Sequence, residues 1–443
     1  MAARAAPPGE WLDRQYRYSA TAMLKSVSAV DLQKSRPGFG HVIRAKPGSV
    51  VASPVLASYD PDPDYFFHWF RDSAVVIDAL RLLFEDGTLG REALTHVADF
   101  MRFSRSLEAL DGRTLVAAPA WREKVAPDFI QYLRDDASLA AARGEAIVGE
   151  TRVNPDGTLD ISKWGRPQFD GPALRALALM RWMRSATFDA GTRVVASELI
   201  RSDLAFAFSH WREPCFDIWE EESGRHYYTL CVSAAALEEG ARWLQEQGEH
   251  GGAQIYGTEV AEIRRALDGF WLQGAGYYRS RVLASGARSA KELDIALILA
   301  AIHAGGSAGA HTVHDPRMHS TLAQLEALFD AAYPINRDRS HSMGPAMGRY
   351  AGDVYYSGGA YYFSTLGAAE LCFRAAAGSQ DAASWIARGD AYLATVRRFT
   401  PPGGELSEQF DQRTGAQSSA RHLAWSYAAF ISCAAARRRV AGR

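Results

Sequence analysis

The chain has 443 residues, of which 47% are hydrophobic and 23% charged, and its 49 Lys and Arg against 51 Asp and Glu give a formal net charge of −2. This composition is typical of a globular protein, and a near-zero charge without a basic tract excludes strong electrostatic attraction to nucleic acid or anionic lipid. No stretch reaches the roughly 20 apolar residues of a membrane span. The N-terminus lacks the apolar core of a secretory signal, so we expect a cytoplasmic protein without nucleic-acid or membrane partners.

The four cysteines do not form a metal-binding or disulfide pattern. Cys215, Cys231, Cys372 and Cys433 stand far apart, without a C-x-x-C pair or a histidine at zinc-finger spacing. We therefore expect no metal, no disulfide framework and no cofactor.

The hydrophobic pattern is mainly helical. Apolar residues recur at i, i+3 and i+4 along most of the chain, and strand-like alternation is confined to short pieces such as residues 48–55 and 277–282. The sequence therefore predicts an all-α protein with short β-hairpins in its loops. The twelve predicted helices span residues 11–34, 72–86, 91–110, 171–187, 192–212, 229–247, 258–270, 293–304, 318–332, 359–377, 381–398 and 420–438.

Several connections between these helices are long and rich in aromatic residues. Loops of that length inside a compact domain are usually functional. Twelve helices separated in this way favour one closed helical toroid over independent bundles, because no low-complexity linker divides the chain. We expect residues 1–40 to form an outer helical segment that packs on the toroid, and residues 41–443 to form the toroid itself.

The first candidate site motif is a run of aromatic residues that ends in Arg71 and Asp72. The run begins at Tyr65, follows a rigid Asp-Pro turn and leads into a predicted helix. Asp72 has an ordinary interpretation as the cap of that helix, because its side chain can accept a backbone N–H. The alternative is that Arg71, with five donors, and Asp72, an acceptor, together bind the vicinal hydroxyls of a sugar.

The second candidate motif, residues 163–175, is also an aromatic and charged loop that opens into a helix. Pro172 suits an early helical position, and Asp170 or Gly171 is the predicted cap. This structural interpretation leaves Trp164 unexplained.

The third motif places three carboxylates, Glu220, Glu221 and Glu222, directly after Trp219. An isolated acidic cluster is usually a solvated helix end. Against the apolar face of Trp219, however, a carboxyl group would have a raised pKa and stay protonated near neutrality. A general acid requires that state, so both interpretations remain open.

The fourth motif, residues 404–427, contains Glu408 and Trp425. Its ordinary interpretation is a surface turn followed by a capped helix. The alternative makes Glu408 the second member of a carboxylate pair with Glu220. Their separation in sequence is no obstacle if both loops open on the same mouth of a ring.

Taken in order, these motifs resemble those of glucoamylase-type glycoside hydrolases, glycoside hydrolase family 15. The resemblance extends from about residue 38 to residue 439. Five motifs in the family's order are far more specific than any one of them alone. They are Ser53-Pro54 with residues 64–72, residues 164–168 with 170–175, residues 217–221, residues 348–350 with Asp353 and 355–356, and residues 407–409 with 425–427.

The resemblance implies an (α/α)6 toroid, which agrees with the helix count. It implies an exo-acting hydrolase that releases β-D-glucose with inversion from the non-reducing ends of α-1,4 glucosides, with α-1,6 glucosides as further candidates. Glu220 corresponds to the general acid and Glu408 to the general base. The residues implied in substrate binding are Tyr65, Trp69, Arg71, Asp72, Trp164, Ile218, Trp219, Glu221, Arg349, Tyr355 and Trp425.

The resemblance also implies individual roles. Arg71 and Asp72 would hold the terminal glucose, whereas Glu221 and Arg349 would bind the next sugar across the cleaved bond. Tyr355 would pack near the catalytic acid.

The chain departs from the family pattern at two outer positions. A lysine of the pattern corresponds here to Arg152, so its contact falls to Arg152 or is lost, and a sugar-stacking tryptophan corresponds at best to Tyr361. These changes weaken the expectation of binding beyond the first two sugars. The length also leaves no room for a separate starch-binding domain.

Three other functions compete with this prediction. A trehalase or an isomaltose- or dextran-directed glucosidase of the same family stays open, because the altered outer loops set linkage preference. A non-catalytic glycan-binding toroid would have no need of two carboxylates aimed at one bond. A phosphorolytic enzyme would need an anion site where Glu408 would repel phosphate.

Overall fold

The computed structural model describes residues 8–59, 61–306, 308–337 and 339–441. These residues form fifteen α-helices, and twelve of them have nine residues or more, each overlapping one of the helices predicted from the sequence. The α-helices are α1 Pro8–Leu24, α2 Phe70–Glu85, α3 Glu92–Leu107, α4 Arg113–Ala117, α5 Asp136–Ala141, α6 Asp170–Ser185, α7 Ala190–His210, α8 Tyr227–Glu246, α9 His250–Asp268, α10 Ala296–Ala304, α11 Pro316–Ala332, α12 Pro334–Arg337, α13 Tyr362–Ala376, α14 Ala382–Phe399 and α15 Ala424–Ala441. Short 3-10 helices span Pro37–Phe39, Pro119–Lys124, Pro127–Tyr132 and Gly144–Gly149.

The strands of the described residues are short and belong to the loops. They pair antiparallel into five small sheets, β1–β2, β3–β4, β5–β6–β9, β7–β8 and β10–β11–β12. The strands are β1 Gln33–Arg36, β2 His41–Arg44, β3 His68–Trp69, β4 Arg152–Val153, β5 Cys215–Phe216, β6 Ser223–His226, β7 Trp271–Leu272, β8 Tyr277–Tyr278, β9 Arg281–Leu283, β10 Ala360–Tyr361, β11 Gln409–Phe410 and β12 Gln417–Ser418.

Six helices close a ring. Helix α2 packs on α6, α6 on α8, α8 on α10, α10 on α13, α13 on α15, and α15 returns to α2. Each of the other long helices packs outside this ring: α1 on α15, α3 on α7, α7 on α6 and α8, α9 on α8, α11 on α10, and α14 on α13. The chain thus alternates outer and inner helices, as the predicted toroid requires.

The two rings differ in how they bury apolar surface. The inner helix α10 buries every residue from Ala296 to Ile302, because an apolar helix of this kind is enclosed on all sides. The outer helix α9 buries a single stripe of Ala253, Val260, Ile263 and Leu267. Burial of one such large aliphatic side chain stabilises the fold by about 1.5–3 kcal/mol, so the inner ring forms most of the core.

The N-terminal prediction was wrong in one respect. The predicted helix 11–34 ends at Leu24, and residues 33–36 form strand β1 paired with β2. The buried face of β1 carries Lys34 and Arg36, which form salt bridges with Asp64. Because its inward residues are charged, the strand has no hydrophobic alternation to reveal it.

The two predicted β stretches had different outcomes. Residues 277–282 contain β8 and the start of β9, as expected. Residues 48–55 form no strand, and Val50 makes only an isolated bridge with Val27. None of the helices within the described ranges combines enough length with enough apolar sequence for a bilayer crossing.

Candidate active site

The candidate site lies at the N-terminal ends of five of the six inner helices. Arg71 and Asp72 open α2, and the loops that precede α6, α8, α13 and α15 supply the other motifs. Residues from these segments line one cavity of about 240 Å³, so these five inner helices direct the same end toward it. The positive end of a helix dipole favours a nearby carboxylate, and this cavity contains several.

The cavity brings together all thirteen residues singled out in the sequence. Four further residues, Ala52, Gly165, Phe363 and Leu423, complete its wall. The predicted members are Tyr65, Trp69, Arg71, Asp72, Trp164, Ile218, Trp219, Glu220, Glu221, Arg349, Tyr355, Glu408 and Trp425.

The loop that carries Glu220 is shaped by Asp217. One carboxylate oxygen of Asp217 accepts hydrogen bonds from the backbone N–H groups of Trp219 and Glu221, each at 3.0 Å. Glu220 has a φ of 59°, a left-handed conformation that non-glycine residues rarely adopt and that often marks functional sites. Gly165 packs against this loop, where a Cβ would lie only 2.5 Å from the Glu220 carbonyl oxygen.

Arg71 is the central cation of the cavity. Its two terminal nitrogens donate to Glu220 at 2.9 Å, to Gln168 at 2.8 Å and to Asp170 at 3.3 Å. The carboxylate of Asp72 lies 3.4 Å from the same guanidinium. Arg71 therefore joins the first three sequence motifs in one network.

The pKa of Glu220 is raised above its usual value, first because burial disfavours the charged form. The positive charge and the hydrogen bond of Arg71 oppose this rise. The sequence predicted the contact with apolar Trp219 but not the salt bridge. Arg71 positions Glu220 while burial favours its protonated form.

Glu408 has a different set of partners. Ser419 donates to its Oε2, and the Tyr65 hydroxyl donates to its Oε1 at 3.3 Å. Burial raises the pKa of Glu408 to about 7, although Ser419, Arg349 and Tyr65 each lower it. The expected ionised state of Glu408 therefore prevails only above about pH 7 in the free protein.

Three stacked rings form a wall of the cavity. The rings of Trp219, Phe363 and Trp425 each pack against the other two. The centroids are 4.4 Å apart at an angle of 6° for Phe363–Trp425, 6.0 Å apart for Trp219–Phe363 and 6.4 Å apart for Trp219–Trp425. The indole N–H of Trp219 donates to Asp294 at 2.9 Å. Phe363 was missed in the sequence because it lies inside α13, where an aromatic residue is expected to be core.

Three buried polar atoms at the site have no hydrogen-bond partner among the described residues. They are Asp72 Oδ2, Arg71 Nε and the indole nitrogen of Trp425. Buried polar groups in folded proteins are nearly always paired. One acceptor and two donors left open around a small cavity match a ligand whose hydroxyls both donate and accept.

Glu221 lies on another side of the cavity and is held by three donors. Arg349 donates to one carboxylate oxygen at 3.1 Å, and Lys291 and Tyr350 donate to the other, Lys291 at 2.6 Å. Arg349 is in turn fixed by Asp353 at 2.7 Å. Lys291 lies outside the sequence motifs, and no pattern around it indicated this contact.

Two capping predictions were wrong. Helix α2 begins at Phe70 after Trp69, and α6 begins at Asp170 after Phe169, so neither Asp72 nor Asp170 is a cap residue. Instead, both carboxylates face Arg71. Tyr355 lines the same cavity as Glu220, and its hydroxyl shares a hydrogen bond of 2.8 Å with that of Tyr65, which also donates to Glu408.

The two outer positions that depart from the family pattern do not line the cavity. Arg152 is buried, pairs with Asp160 at 2.9 Å and stacks 3.7 Å from the centre of the Trp164 ring. Tyr361 is also buried, and its hydroxyl accepts a hydrogen bond from Gln409 at 2.7 Å. Arg152 supports the wall from behind, and Tyr361 does not replace a sugar-stacking tryptophan.

Comparison with known proteins gives one family. The model described as glycosyl hydrolases family 15 matches residues 37–113, 143–389 and 379–435. The chain is 29% identical to the probable glucoamylase of Schizosaccharomyces pombe, over 98% of this chain and 92% of that protein. It is 26% identical to the intracellular sporulation-specific glucoamylase of Saccharomyces cerevisiae, over 95% and 82%. The solved glucoamylase of Saccharomycopsis fibuligera, 22% identical, shares the fold with a TM-score of 0.77 over 98% of this chain and 96% of that structure.

Proposed function

Because the chain belongs to glycosyl hydrolase family 15, we propose that it is an exo-acting α-glucosidase that releases β-D-glucose from the non-reducing ends of α-1,4 glucosides. The family, the toroidal fold and the glucoamylase-type hydrolase class predicted from the sequence are confirmed. One observation carries the assignment of residues. Two buried glutamates, Glu220 and Glu408, line the same cavity and are held by different partners.

An inverting hydrolysis uses these two groups in opposite roles. Protonated Glu220 donates its proton to the glycosidic oxygen as the bond to the anomeric carbon breaks. Ionised Glu408 takes a proton from a water molecule, whose oxygen attacks that carbon from the other face. Inverting enzymes separate the two carboxyl groups by about 6.5–9.5 Å to admit this water.

The cavity binds the terminal sugar through its unpaired polar atoms. Arg71 and Asp72 face the sugar's hydroxyls, and the N–H of Trp425 supplies one more donor. The stacked rings of Trp219 and Phe363 close one side of the cavity. A small pocket of this kind admits a chain end rather than the middle of a polymer, which accounts for exo action.

A substrate panel tests this function. We expect hydrolysis of maltose and maltotriose, with slower hydrolysis of isomaltose. Proton NMR of the first product should show β-D-glucose, because inversion of an α-glucoside gives that anomer. Initial release of α-D-glucose, or no hydrolysis of any α-glucoside, would contradict the proposal.

The rival functions have their own signatures in the same panel. A trehalase would cleave trehalose faster than maltose, and a dextran-directed enzyme would prefer isomaltose. A non-catalytic toroid would bind without hydrolysis at any pH. A phosphorolytic enzyme would form glucose 1-phosphate in a phosphate-dependent reaction.

The pH profile is expected to depend on Ser419. Its hydroxyl lowers the pKa of Glu408, so Ser419→Ala should raise that pKa. The limb of the kcat/KM profile that Glu408 governs, near pH 7 in the wild type, should then move to higher pH. Measuring kcat/KM on maltose across pH 4–9 checks this.

Ser418→Ala is the matched control. Ser418 donates to Ser357 at 2.9 Å and has no contact with Glu408, so its removal should leave the profile in place. Both Ser419 and its alanine replacement carry a Cβ, so the left-handed backbone at this position, with a φ of 63°, is equally strained in the two proteins. If the pH dependence of kcat/KM is the same in Ser419→Ala as in the wild type, Glu408 is not the general base.

The cellular location stays a prediction. The sequence favours the cytoplasm, and one of the relatives is named an intracellular enzyme. The expected absence of nucleic-acid and membrane partners likewise remains a prediction.

A further inference from the structure

The proposed general base, Glu408, lies next to a short hairpin. Glu408 directly precedes β11, and Ser419 directly follows β12. The two strands pair antiparallel through Gln409 and Ser418, and the N–H of Glu408 donates to the carbonyl of Ala420 at 2.7 Å. The hairpin therefore holds Glu408 opposite Ser419 from the side of its turn, and support at its open end comes from another segment.

The hydroxyl of Tyr427, in the first turn of α15, lies at this open end. It accepts a hydrogen bond from the backbone N–H of Leu406 at 3.1 Å and shares one of 2.7 Å with Nδ1 of His422. Leu406 precedes Glu408 by two residues, and His422 follows Ser419 by three. One hydroxyl therefore ties together the two chain segments that carry Glu408 and its partner. We call Tyr427, Leu406 and His422 the base-loop clamp.

Core packing alone does not explain the hydroxyl of the clamp. The side chain of Tyr427 is fully buried, and the ring of a phenylalanine would fill the same part of the core. A buried hydroxyl is unfavourable unless it is hydrogen-bonded, and here Leu406 and His422 satisfy it. Both partners belong to the loop of Glu408, so the hydroxyl acts on that loop.

The loop that the clamp closes has an unfavourable backbone conformation. Ser419 has a φ of 63° and His422 a φ of 52°, in the left-handed region that non-glycine residues rarely adopt. Such conformations persist only where the surrounding structure fixes them. One of these two residues donates to Glu408, and the other is held by Tyr427. The strain therefore lies at the residues that set the position of the base.

Two further contacts support the same loop. Ser426, beside the clamp, donates to the carbonyl of Ser407 at 2.8 Å. The buried side chain of Gln15, on the outer helix α1, donates to the carbonyl of Gly404 at 2.8 Å. Helices α1 and α15 thus both hold the segment that leads into Glu408.

We propose that Tyr427 is a positioning residue for the general base: its hydroxyl holds Glu408 against Ser419 in the geometry that proton transfer from water requires. Tyr427 does not line the cavity, so it acts through Glu408 and not on the sugar. This role rests on the proposed function, in which Glu408 activates the attacking water. A displacement of about 1 Å in such a group can cost about 10²-fold in rate.

The test is the pH dependence of maltose hydrolysis by full-length Tyr427→Phe. Phenylalanine keeps the ring but removes the acceptor of the Leu406 N–H and the partner of His422. We expect kcat to fall about tenfold and KM to stay within about twofold of the wild type, because the groups that bind the sugar remain in place. The limb of the kcat/KM profile that Glu408 governs should move to higher pH, because a looser loop weakens the contact with Ser419 that lowers the pKa of Glu408.

Other groups near Glu408 do not produce that shift. Arg349 lowers the pKa of Glu408, Asp72 raises it, and the Tyr65 hydroxyl donates to the carboxylate. These three lie outside the clamp and are the same in the variant. His422 is neutral near pH 7, because burial lowers its pKa, so it brings no charge to the loop at that pH.

A double variant tests whether Tyr427 acts through Ser419. Ser419→Ala already lacks the hydroxyl that donates to Glu408. Adding Tyr427→Phe to Ser419→Ala should therefore move the limb no further than Ser419→Ala does alone, because effects that pass through one contact are not additive.

Two other variants separate positioning from loss of stability. Tyr278→Phe removes the hydroxyl of another fully buried tyrosine, which donates to Asp315 at 2.7 Å on the side of α11, and it should keep the wild-type pH profile. His422→Asn removes the other end of the clamp with a residue that tolerates a left-handed backbone. It should shift the limb in the same direction as Tyr427→Phe, and it provides the test if Tyr427→Phe does not fold. Thermal unfolding shows which variants are folded.

Three results would overturn the positioning role and leave the proposed function intact. The first is a wild-type kcat and pH profile in folded Tyr427→Phe, or in His422→Asn where Tyr427→Phe does not fold. The second is an equal effect of Tyr278→Phe, and the third is a further shift of the limb in the double variant. Failure of the wild type to hydrolyse any α-glucoside overturns the proposed function and this role together.

Discussion

Glu220→Gln and Glu408→Gln are each expected to lose nearly all activity while remaining folded. General acid or general base catalysis contributes about 10²–10⁴-fold, and glutamine can neither donate a proton to the glycosidic oxygen nor accept one from water. We therefore expect kcat on maltose to fall by at least about 10² in each variant. Near-wild-type turnover by either variant would refute its assignment.

The two variants should differ in stability. Burial raises the pKa of Glu408 to about 7, which means that the folded protein disfavours the charged carboxylate. Neutral glutamine does not carry this cost of burying a charge. Glu408→Gln should unfold at the same temperature as the wild type or higher. Glu220→Gln removes one salt bridge of Arg71, but Asp170 and Asp72 remain close to that guanidinium.

Glu222→Gln is the matched control for the acidic triplet. Glu222 follows directly after Glu221, yet its carboxylate pairs with Arg281 at 2.9 Å and with Ser289 at 2.8 Å. It does not line the cavity. This variant should retain most of its activity, and a loss as large as that of Glu220→Gln would mean that the triplet acts through its charge rather than through one proton donor.

Arg281→Met is expected to have the largest effect on stability. Arg281 is buried and pairs with Asp217 and Asp294, and removing one partner of a buried ion pair typically costs about 3–5 kcal/mol. Asp217 shapes the loop of Glu220, and Asp294 accepts the indole N–H of Trp219. Activity should therefore fall together with the free energy of unfolding, which urea denaturation measures.

The pH dependence of this loss follows from the carboxylates that Arg281 neutralises. Burial already raises the pKa of Asp294 to about 6, although Arg281 lowers it. Without Arg281 that pKa rises further, so the stability deficit should be largest near neutral pH and should shrink as the pH falls and Asp294 becomes protonated. A deficit that does not change with pH would place the effect of Arg281 in packing.

Arg288→Met provides the comparison for Arg281→Met. Arg288 forms a salt bridge with Glu292 at 2.7 Å, but its side chain is mostly exposed. Exposed pairs contribute at most about 1 kcal/mol. A loss in Arg288→Met equal to that in Arg281→Met would contradict the argument from burial.

The sequence was sufficient where a local pattern sets the outcome. Helical periodicity identified the twelve long helices, because each must bury a face with a 3.6-residue repeat. The site motifs were also visible, since the loops before the inner helices contain aromatic and charged residues together. Their residue types alone suggested a ligand rich in hydroxyls.

The errors came from contacts between distant parts of the chain. Strand β1 was missed because its inward residues, Lys34 and Arg36, are compensated by Asp64, which lies far away in the sequence. The cap predicted at Asp170 was wrong because that carboxylate pairs with Arg71, 99 residues away in the sequence. The cap considered at Asp72 was wrong because α2 begins two residues earlier, at Phe70. Neither of the two long-range ion pairs leaves a local signal.

The amino-acid order by itself determined the twelve-helix plan, the family and which side chains are candidates for the chemistry. Only the tertiary structure decided which of them share one cavity, that Arg71 rather than solvent faces Glu220, and that Arg152 and Tyr361 lie behind the wall instead of in it. The reason is physical. Helix formation depends on neighbours along the chain, whereas the pKa and the partner of a buried charge depend on desolvation and on charges brought close by folding.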